Sequence, residues 1–190
     1  MTKKGIVWFK TDLRLHDNET LIRAIEENDA IIPVYCFNPQ DLNKLNDKRD
    51  GFGDFRLKFL LESIAELDEN LRKLGSGLLF LIGNPLEEIP KIAFKYGARK
   101  VYAKREVATY EKQLDMQIEA ELWKQKCLFE PYSTSTLYHA TDLPFALKDI
   151  PDVFTNFRKR VEKETEIRAV FETPKQIISP TIPAIKNSNF

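Results

Sequence analysis

Residues 6–18, IVWFKTDLRLHDN, constrain the fold of this chain more than any other stretch of its sequence. The run opens with four apolar residues, β-branched or aromatic, which is typical of a strand buried on both faces. Asp17 and Asn18 are both candidates for the N-cap of a helix over residues 19–27. The stretch therefore predicts a buried strand, a charged turn and the start of a helix.

The turn between that strand and helix contains no glycine and four ionisable residues: Asp12, Arg14, His16 and Asp17. A phosphate-binding turn uses glycines to bring backbone N–H groups close to the anion. One guanidinium and two carboxylates favour an internal salt-bridge network instead. No GxGxxG, GxxxxGK[ST] or nucleophile-elbow motif occurs in the sequence, so hydrolysis of mononucleotides, dinucleotide redox chemistry and serine hydrolysis lack motif support.

Strand-like apolar runs then alternate with amphipathic helical segments. Further strands are predicted at residues 31–37, 78–82 and 101–103 and from residue 128, and further helices at residues 54–74, 84–97 and 110–126. This alternation predicts an α/β fold, a doubly wound parallel sheet of five strands with helices on both faces. Ligands of such sheets bind at the carboxyl ends of the strands. Here those ends are residues 10–17, 37–40, 83–84 and 104–110.

Two local expectations concern packing. The helix over residues 54–74 places seven apolar residues on one face, which predicts a single buried stripe. They are Phe55, Phe59, Leu60, Ile64, Leu67, Leu71 and Leu74. Pro33 argues against a central position for the second strand, because proline cannot donate to a ladder.

From about Ser133 the alternation fades and prolines become frequent. A helix is predicted over residues 152–165, with Phe154, Phe157 and Val161 on one face, and residues 174–190 are typical of a linker. We therefore divide the chain into an α/β core, residues 1–132, and a connector, residues 133–190. We expect another domain to follow the connector, which would make this chain a fragment.

Composition excludes several classes of function. The 29 basic and 29 acidic residues balance, so global charge gives no case for nucleic-acid binding. Cys36 and Cys127 are far apart and form no metal motif, and the position of Cys36 in a predicted buried strand favours a reduced, structural thiol. His16 and His139 lack the neighbours of a triad or a zinc site. No apolar stretch approaches the ~20 residues of a membrane span, and no signal peptide is evident, so we expect a cytoplasmic protein.

Glu106 is the first candidate ligand-binding residue, because the stretch Lys104-Arg105-Glu106 directly follows the fourth predicted strand. A carboxylate can accept two hydrogen bonds from an amino-pyrimidine edge. The alternative is a solvated, charged loop formed with Lys104 and Arg105. Spacing alone favours the solvated loop. The position of Glu106 at the carboxyl end of a strand favours ligand binding, so the two interpretations have equal support.

Further candidates lie near the second strand and the long helix. Tyr35, Cys36 and Phe37 end the second strand, where they either line a pocket for a flat heterocycle or pack in the core. Arg56 lies off the apolar stripe of its helix. It either reaches into the same crevice or pairs with Asp54 or Glu62.

Six stretches together resemble the photolyase/cryptochrome family, and DASH-type cryptochromes most. They are WFKTDLRLHDNETL, PVYCFNP, GDFRLKFLLES, VYAKRE, STSTLYHATDLPF and IPDVFTNFRKRVE. The resemblance covers residues 3–175. It implies a Rossmann-like sheet of strand order 3-2-1-4-5, followed in the whole protein by a helical domain that binds flavin adenine dinucleotide (FAD).

The resemblance also implies an antenna site. Glu106 matches the family carboxylate that contacts the pterin of methenyltetrahydrofolate, bound in the crevice between the domains. The other candidates, which have weaker support, are Lys104, Arg105, Tyr35, Cys36, Phe37 and Arg56. Asp12 and Arg14 match the family's opening motif, where a structural role is expected. Neither a catalytic residue nor a metal site is implied in this chain.

For the whole protein, the resemblance implies either a deoxyribodipyrimidine photo-lyase or a blue-light receptor. A photo-lyase of this kind uses light to repair cyclobutane pyrimidine dimers. For DASH-type members, the implied substrate is a dimer in single-stranded DNA. FAD and DNA would bind through the helical domain, so the chain alone is expected to be inactive. Two alternatives remain open. One is a stand-alone α/β nucleotide-binding module, and the other is an interaction domain that has lost its chromophore.

Overall fold

A computed structural model of the chain describes residues 2–40 and 53–185. Five strands form one sheet: β1 (Lys4–Phe9), β2 (Ala30–Phe37), β3 (Leu79–Ile82), β4 (Lys100–Lys104) and β5 (Leu128–Tyr132). The α-helices of the described residues include α1 (Glu19–Glu27), α2 (Asp54–Lys73), α3 (Pro85–Tyr96), α4 (Thr109–Lys124) and α5 (Phe154–Glu164). Short 3-10 helices lie at Ala140–Asp142 and Leu147–Asp149.

The sheet is parallel throughout and its strand order is β3-β2-β1-β4-β5, which confirms the predicted fold class and order. β1 lies at the centre, where Val7 is in register with Pro33 of β2 on one side and with Tyr102 of β4 on the other. The chain builds β2 and β3 outward from one edge of β1 and then crosses to build β4 and β5 on the other. This reversal is the topological switch point of the sheet.

Both faces of β1 are buried, as its apolar sequence predicts. Ile6 and Trp8 belong to a core cluster with residues of α3 and α4, whereas Val7 and Phe9 belong to a cluster with residues of α1 and α2. Because successive side chains of a strand point to opposite faces, four adjacent apolar residues are needed to supply both clusters. This is why the first strand carries no polar residue between Ile6 and Phe9.

The helix ends follow local sequence signals. Asn18, and not Asp17, caps α1, since its side-chain oxygen accepts a hydrogen bond of 3.0 Å from the Leu21 N–H. Asn84 caps α3 in the same way through the Leu86 N–H, at 3.1 Å. Gly97 ends α3 with φ 62°, a left-handed conformation that glycine adopts without strain.

The predicted apolar stripe of α2 is wrong over its first turns. Phe55 and Phe59 are 91% and 72% exposed, and the stripe enters the core only from Leu60 onward. Residue spacing identifies one face of a helix, but it does not show how far along that face another element extends. The amino-terminal turns of α2 project beyond the core cluster that its later turns cover.

The expectation for Pro33 is also wrong, because β2 is an interior strand between β1 and β3. The Ile31 N–H, two residues earlier, donates to the Ile178 carbonyl on the side away from β1. Since the direction of the peptide groups alternates along a strand, the Pro33 nitrogen faces that same side. There, β3 begins pairing only at Val34, so the proline removes no ladder bond.

The segment that the sequence indicates as a linker packs onto the α/β core. Ile177 and Ile182 are buried, and the Ile177 N–H donates to the Leu74 carbonyl at 2.8 Å. The Ser179 hydroxyl donates to the Ile31 carbonyl at 2.7 Å. The division of the chain at residue 132 stays a prediction. Across residues 2–40 and 53–185, no helix is long and apolar enough to cross a membrane.

Burial raises the pKa of the Cys127 thiol to about 11. Because the thiolate is the nucleophile, we expect iodoacetamide at pH 8 to modify Cys127 on the order of a hundredfold more slowly in the folded protein than in urea. The protection should weaken as pH rises towards 11. Alkylation rates measured by mass spectrometry test this, and equal rates in the folded and unfolded protein would contradict it.

Candidate functional site

A cleft of about 370 Å³ opens at the carboxyl ends of β1, β2 and β4, at the switch point of the sheet. It is lined by Trp8, Phe9, Lys10, Thr11, Tyr35, Cys36, Asn38, Arg56, Pro85, Glu106, Tyr110, Glu111, Leu114 and Asp115. Residues from two strands, three helices and the connecting loops therefore converge here from positions far apart in the sequence. The cleft lies where ligands of doubly wound sheets bind.

Four of the seven predicted site residues line this cleft: Tyr35, Cys36, Arg56 and Glu106. Phe37 does not line it, although it is adjacent to Cys36 in sequence. Its ring lies 6.4 Å from the ring of Phe80 on β3.

Lys104 and Arg105 are not among the lining residues either. The Lys104 ammonium donates to the Thr11 hydroxyl at 2.6 Å and lies 4.0 Å from a Glu106 oxygen. It therefore contacts two lining residues without lining the cleft itself. The Arg105 guanidinium donates to the Pro131 carbonyl at 3.2 Å, on the β5 side. A functional role for any of the seven residues stays a prediction.

Glu106 retains unused capacity to accept hydrogen bonds. Its side chain is 17% exposed, and its described contacts are a long hydrogen bond of 3.4 Å from the Thr11 hydroxyl and the Lys104 ammonium at 4.0 Å. A carboxylate has about four acceptor sites, so most of this capacity remains for N–H donors in the cleft. The geometry is unlike that of a fully solvated loop charge.

Sequence reasoning missed an ion pair between Lys10, just after β1, and Asp115 on α4. Their charged groups lie 2.6 Å apart, and the two side chains are only 11% and 13% exposed. The ammonium also lies 4.3 Å from the centre of the Trp8 ring, within range of a cation–π interaction. Lys10 falls within a strand end where ligands are expected, but no local signal pairs it with a residue 105 positions away.

The charged turn after β1 is stabilised mainly through the backbone. The Arg14 guanidinium donates to the Asp17 carbonyl at 2.8 Å and the His16 carbonyl at 3.1 Å, whereas its ion pair with Asp17 is long, at 4.0 Å. Asp12 is buried and accepts a hydrogen bond from the Lys10 N–H at 3.1 Å. These residues set the path of the chain from the buried strand to the Asn18 cap.

The residues of the cleft fit a flat heterocycle that donates hydrogen bonds. A volume of about 370 Å³ lies within the roughly 300–1,000 Å³ of small-molecule sites. Aromatic side chains such as Trp8 and Tyr35 offer apolar contact, and Glu106 and Glu111 offer acceptors. The lining residues include three carboxylates, Glu106, Glu111 and Asp115, and two cations, Lys10 and Arg56. This excess of carboxylates makes the cleft a poor site for a phosphate. Among residues 2–40 and 53–185, no cluster of three His, Cys, Asp or Glu residues is placed to hold a metal ion.

We expect Lys10→Met to lower the free energy of unfolding by about 3 kcal/mol, because it leaves the largely buried Asp115 carboxylate without its cationic partner. Adding Asp115→Leu should restore most of that loss. The exposed pair Lys124–Glu121 has the same separation, 2.6 Å, so Lys124→Met is the matched control and should change stability by less than about 1 kcal/mol. Urea unfolding measures all three. A Lys10→Met variant as stable as the control would show that the pair is not structural.

Comparison with known proteins identifies relatives along most of the chain. The family model described as DNA photolyase matches residues 5–177. The chain is 37% identical to a cryptochrome DASH of Gloeobacter violaceus, over 97% of this chain and 36% of the relative. It is 38% identical to the blue-light photoreceptor PHR2 of Arabidopsis thaliana, over 94% of this chain and 40% of the relative.

Among solved structures, a cryptochrome of Synechocystis sp. PCC6803 superposes on the whole chain with a TM-score of 0.89 at 36% identity, and the match covers 41% of that structure's chain. The chain thus spans about two fifths of the length of these relatives.

Proposed function

Since this chain belongs to the DNA photolyase family and is similar to DASH-type cryptochromes, we propose that the cleft at its switch point binds the antenna chromophore of such a protein. The observation that carries the proposal is the Glu106 carboxylate, which is largely buried and keeps free acceptor sites in a cleft that aromatic side chains line. A pteridine ring of methenyltetrahydrofolate has the flat shape and the N–H donors that such a site can accept.

When bound, the folate would supply absorption of near-ultraviolet or blue light, which the chain's own side chains lack. The residues of the chain bind and orient it. Glu106 accepts from the ring's N–H groups, and Trp8 and Tyr35 supply apolar contact. Lys10 and Asp115 neutralise each other at 2.6 Å and hold β1 against α4, so the walls of the cleft keep their separation.

The photochemistry of the whole protein belongs, in our proposal, to residues outside this chain. A helical domain would bind FAD, and this reduced flavin would donate an electron to a cyclobutane pyrimidine dimer when excited, with single-stranded DNA as the preferred substrate. The balanced charge of the chain, 29 basic and 29 acidic residues, agrees with DNA binding through that other domain. Blue-light reception is the second candidate, because the name of the PHR2 relative records that role.

A stand-alone nucleotide-binding module is less consistent with the site. Nucleotide phosphates are usually held by glycine-rich turns at helix amino termini or by paired cations. The described turn after β1 has no glycine, and carboxylates outnumber cations in the cleft.

We expect Glu106→Ala to weaken folate binding by the whole protein roughly tenfold to a hundredfold, since a charge-assisted hydrogen bond contributes about 1.5–3 kcal/mol. Glu106→Gln should weaken binding less, because an amide oxygen can still accept from one donor. The matched control is Glu119→Ala, an exposed residue of α4 outside the cleft. Near-ultraviolet absorbance titrated with folate measures occupancy, while flavin content should not change. Equal occupancy in all four proteins at limiting folate would make Glu106 a loop charge only.

A second test separates this chain from the whole protein. The 190-residue chain alone should bind no flavin and split no dimers under light, whereas the whole protein should repair a thymine-dimer oligonucleotide, single strands faster than duplex. Restored thymine absorbance and chromatography of the products measure repair. Light-dependent repair by the 190-residue chain alone would contradict the proposed division of labour. A whole protein that binds flavin without repairing either substrate would favour the receptor.

A further inference from the structure

Asn38, the first residue after β2, has hydrogen-bond donors that the protein does not use. Its side chain lines the cleft, and the residue is only 9% exposed. Its oxygen accepts a hydrogen bond of 3.1 Å from the Gln40 N–H, so the other branch of the side chain is the NH2 group. None of the described residues accepts from this NH2 group, and the fully enclosed side-chain atoms without a partner lie on other residues. The Asn38 nitrogen is therefore open to a ligand.

The turn that follows β2 explains only one branch of the Asn38 side chain. An Asx turn needs a side-chain oxygen that accepts from the N–H two residues later, and aspartate supplies that oxygen as well as asparagine does. The turn therefore accounts for the Asn38 oxygen and leaves its nitrogen without a role. Asn38→Asp separates the two branches, because it keeps the acceptor for Gln40 and removes both donors.

A second cavity of about 180 Å³ adjoins the cleft at Asn38, and we call it the amide chamber. It shares Asn38, Tyr110 and Leu114 with the cleft, and its other lining residues are Gln40, Asn84, Leu86, Gln113 and Gln117. Most of these described lining side chains are carboxamides, and none of them is a carboxylate, a lysine or an arginine. The chamber thus differs in chemistry from the cleft, where carboxylates and cations face each other.

The lining of the amide chamber indicates the kind of group that fits it. Carboxamides both donate and accept hydrogen bonds and carry no charge, so they match another neutral group with a donor and an acceptor. A charged group would enter the chamber without a counter-ion and would lose solvation. Because β1 lies between β2 and β4, the strand ends that carry Asn38 and Glu106 are about 10 Å apart. This separation leaves room for a planar ring system between the two residues.

We propose that Asn38 and the amide chamber form a second subsite, which binds a carboxamide attached to the ring system that Glu106 holds. This inference rests on the proposed chromophore function and adds where the tail of the ligand lies and which residue recognises it. In methenyltetrahydrofolate, such a carboxamide joins the benzoyl ring to glutamate. Asn38 donates to the carbonyl oxygen of that amide, and the glutamines of the chamber accept from its N–H. Asn38 is thus a specificity-determining residue for the tail.

The experiment compares two ligands that share their ring system and differ in the tail. One is methenyltetrahydrofolate, and the other is its analogue with an unsubstituted phenyl group in place of the benzoylglutamate. Calorimetric titration of the whole protein should show that the wild type prefers the folate about tenfold. Asn38→Asp should weaken folate binding about tenfold and change binding of the phenyl analogue less than about twofold. Asn156→Asp, the same substitution at an exposed position of α5, is the control and should change neither.

Each other outcome counts against the inference. Equal weakening of both ligands by Asn38→Asp would mean that the new charge acts on the rings and not on the tail. Unchanged affinities with a lower melting temperature would leave Asn38 only its role in the turn. A wild type that binds both ligands equally would overturn the inference without any variant, so it stays testable even if Asn38→Asp does not fold. A wild type that binds neither ligand would instead overturn the proposed function itself, which distinguishes the two failures.

Discussion

The ladder hydrogen bonds that fix β1 between β2 and β4 determine the rest of this structure. A central strand in a parallel sheet is covered on both faces, so β1 must be apolar at consecutive positions, as residues 6–9 are. Because the chain continues from β1 to one side and returns to β4 on the other, the loops after these strands diverge. The cleft is the space left between them, closed by the start of α4.

The electrostatics of that cleft follow from what the diverging loops contribute. β1 is followed by Lys10 and Thr11, and β4 ends at Lys104 and is followed by Glu106. Lys10 is paired across to α4 and Lys104 donates to Thr11, so both cations are held by the protein. The carboxylates Glu106 and Glu111 keep free acceptor sites, which suits a ligand that donates hydrogen bonds better than a phosphate.

Sequence predicted best those features that a few neighbouring residues determine. The buried first strand and a cap for α1 at Asp17 or Asn18 depend on spacing within one element, and the parallel sheet depends on how such elements alternate along the chain. The family resemblance supplied the strand order, which local patterns do not contain. Glu106 was found because a strand end places its side chain at one edge of the sheet whatever surrounds it.

What sequence did not predict depends on contacts between distant residues. The Lys10–Asp115 pair joins two elements whose proximity exists only in the folded sheet. The exposure of Phe55 and the direction of the Arg105 side chain depend on where neighbouring elements end. The burial of Glu111 Oε2 without a hydrogen-bond donor among the described residues is a property of the assembled fold, since in sequence this residue is an ordinary acidic residue in a first helical turn.

The central claim is that this cleft holds a chromophore that passes light energy to the flavin. The most direct test is the excitation spectrum of flavin fluorescence, measured on the whole protein after purification in the dark. The account predicts a near-ultraviolet band beyond the flavin's own absorption. That band should disappear in Leu114→Trp, which fills the cleft, while the flavin bands remain. An excitation spectrum identical to that of flavin alone, or an antenna band that persists in Leu114→Trp, would contradict it.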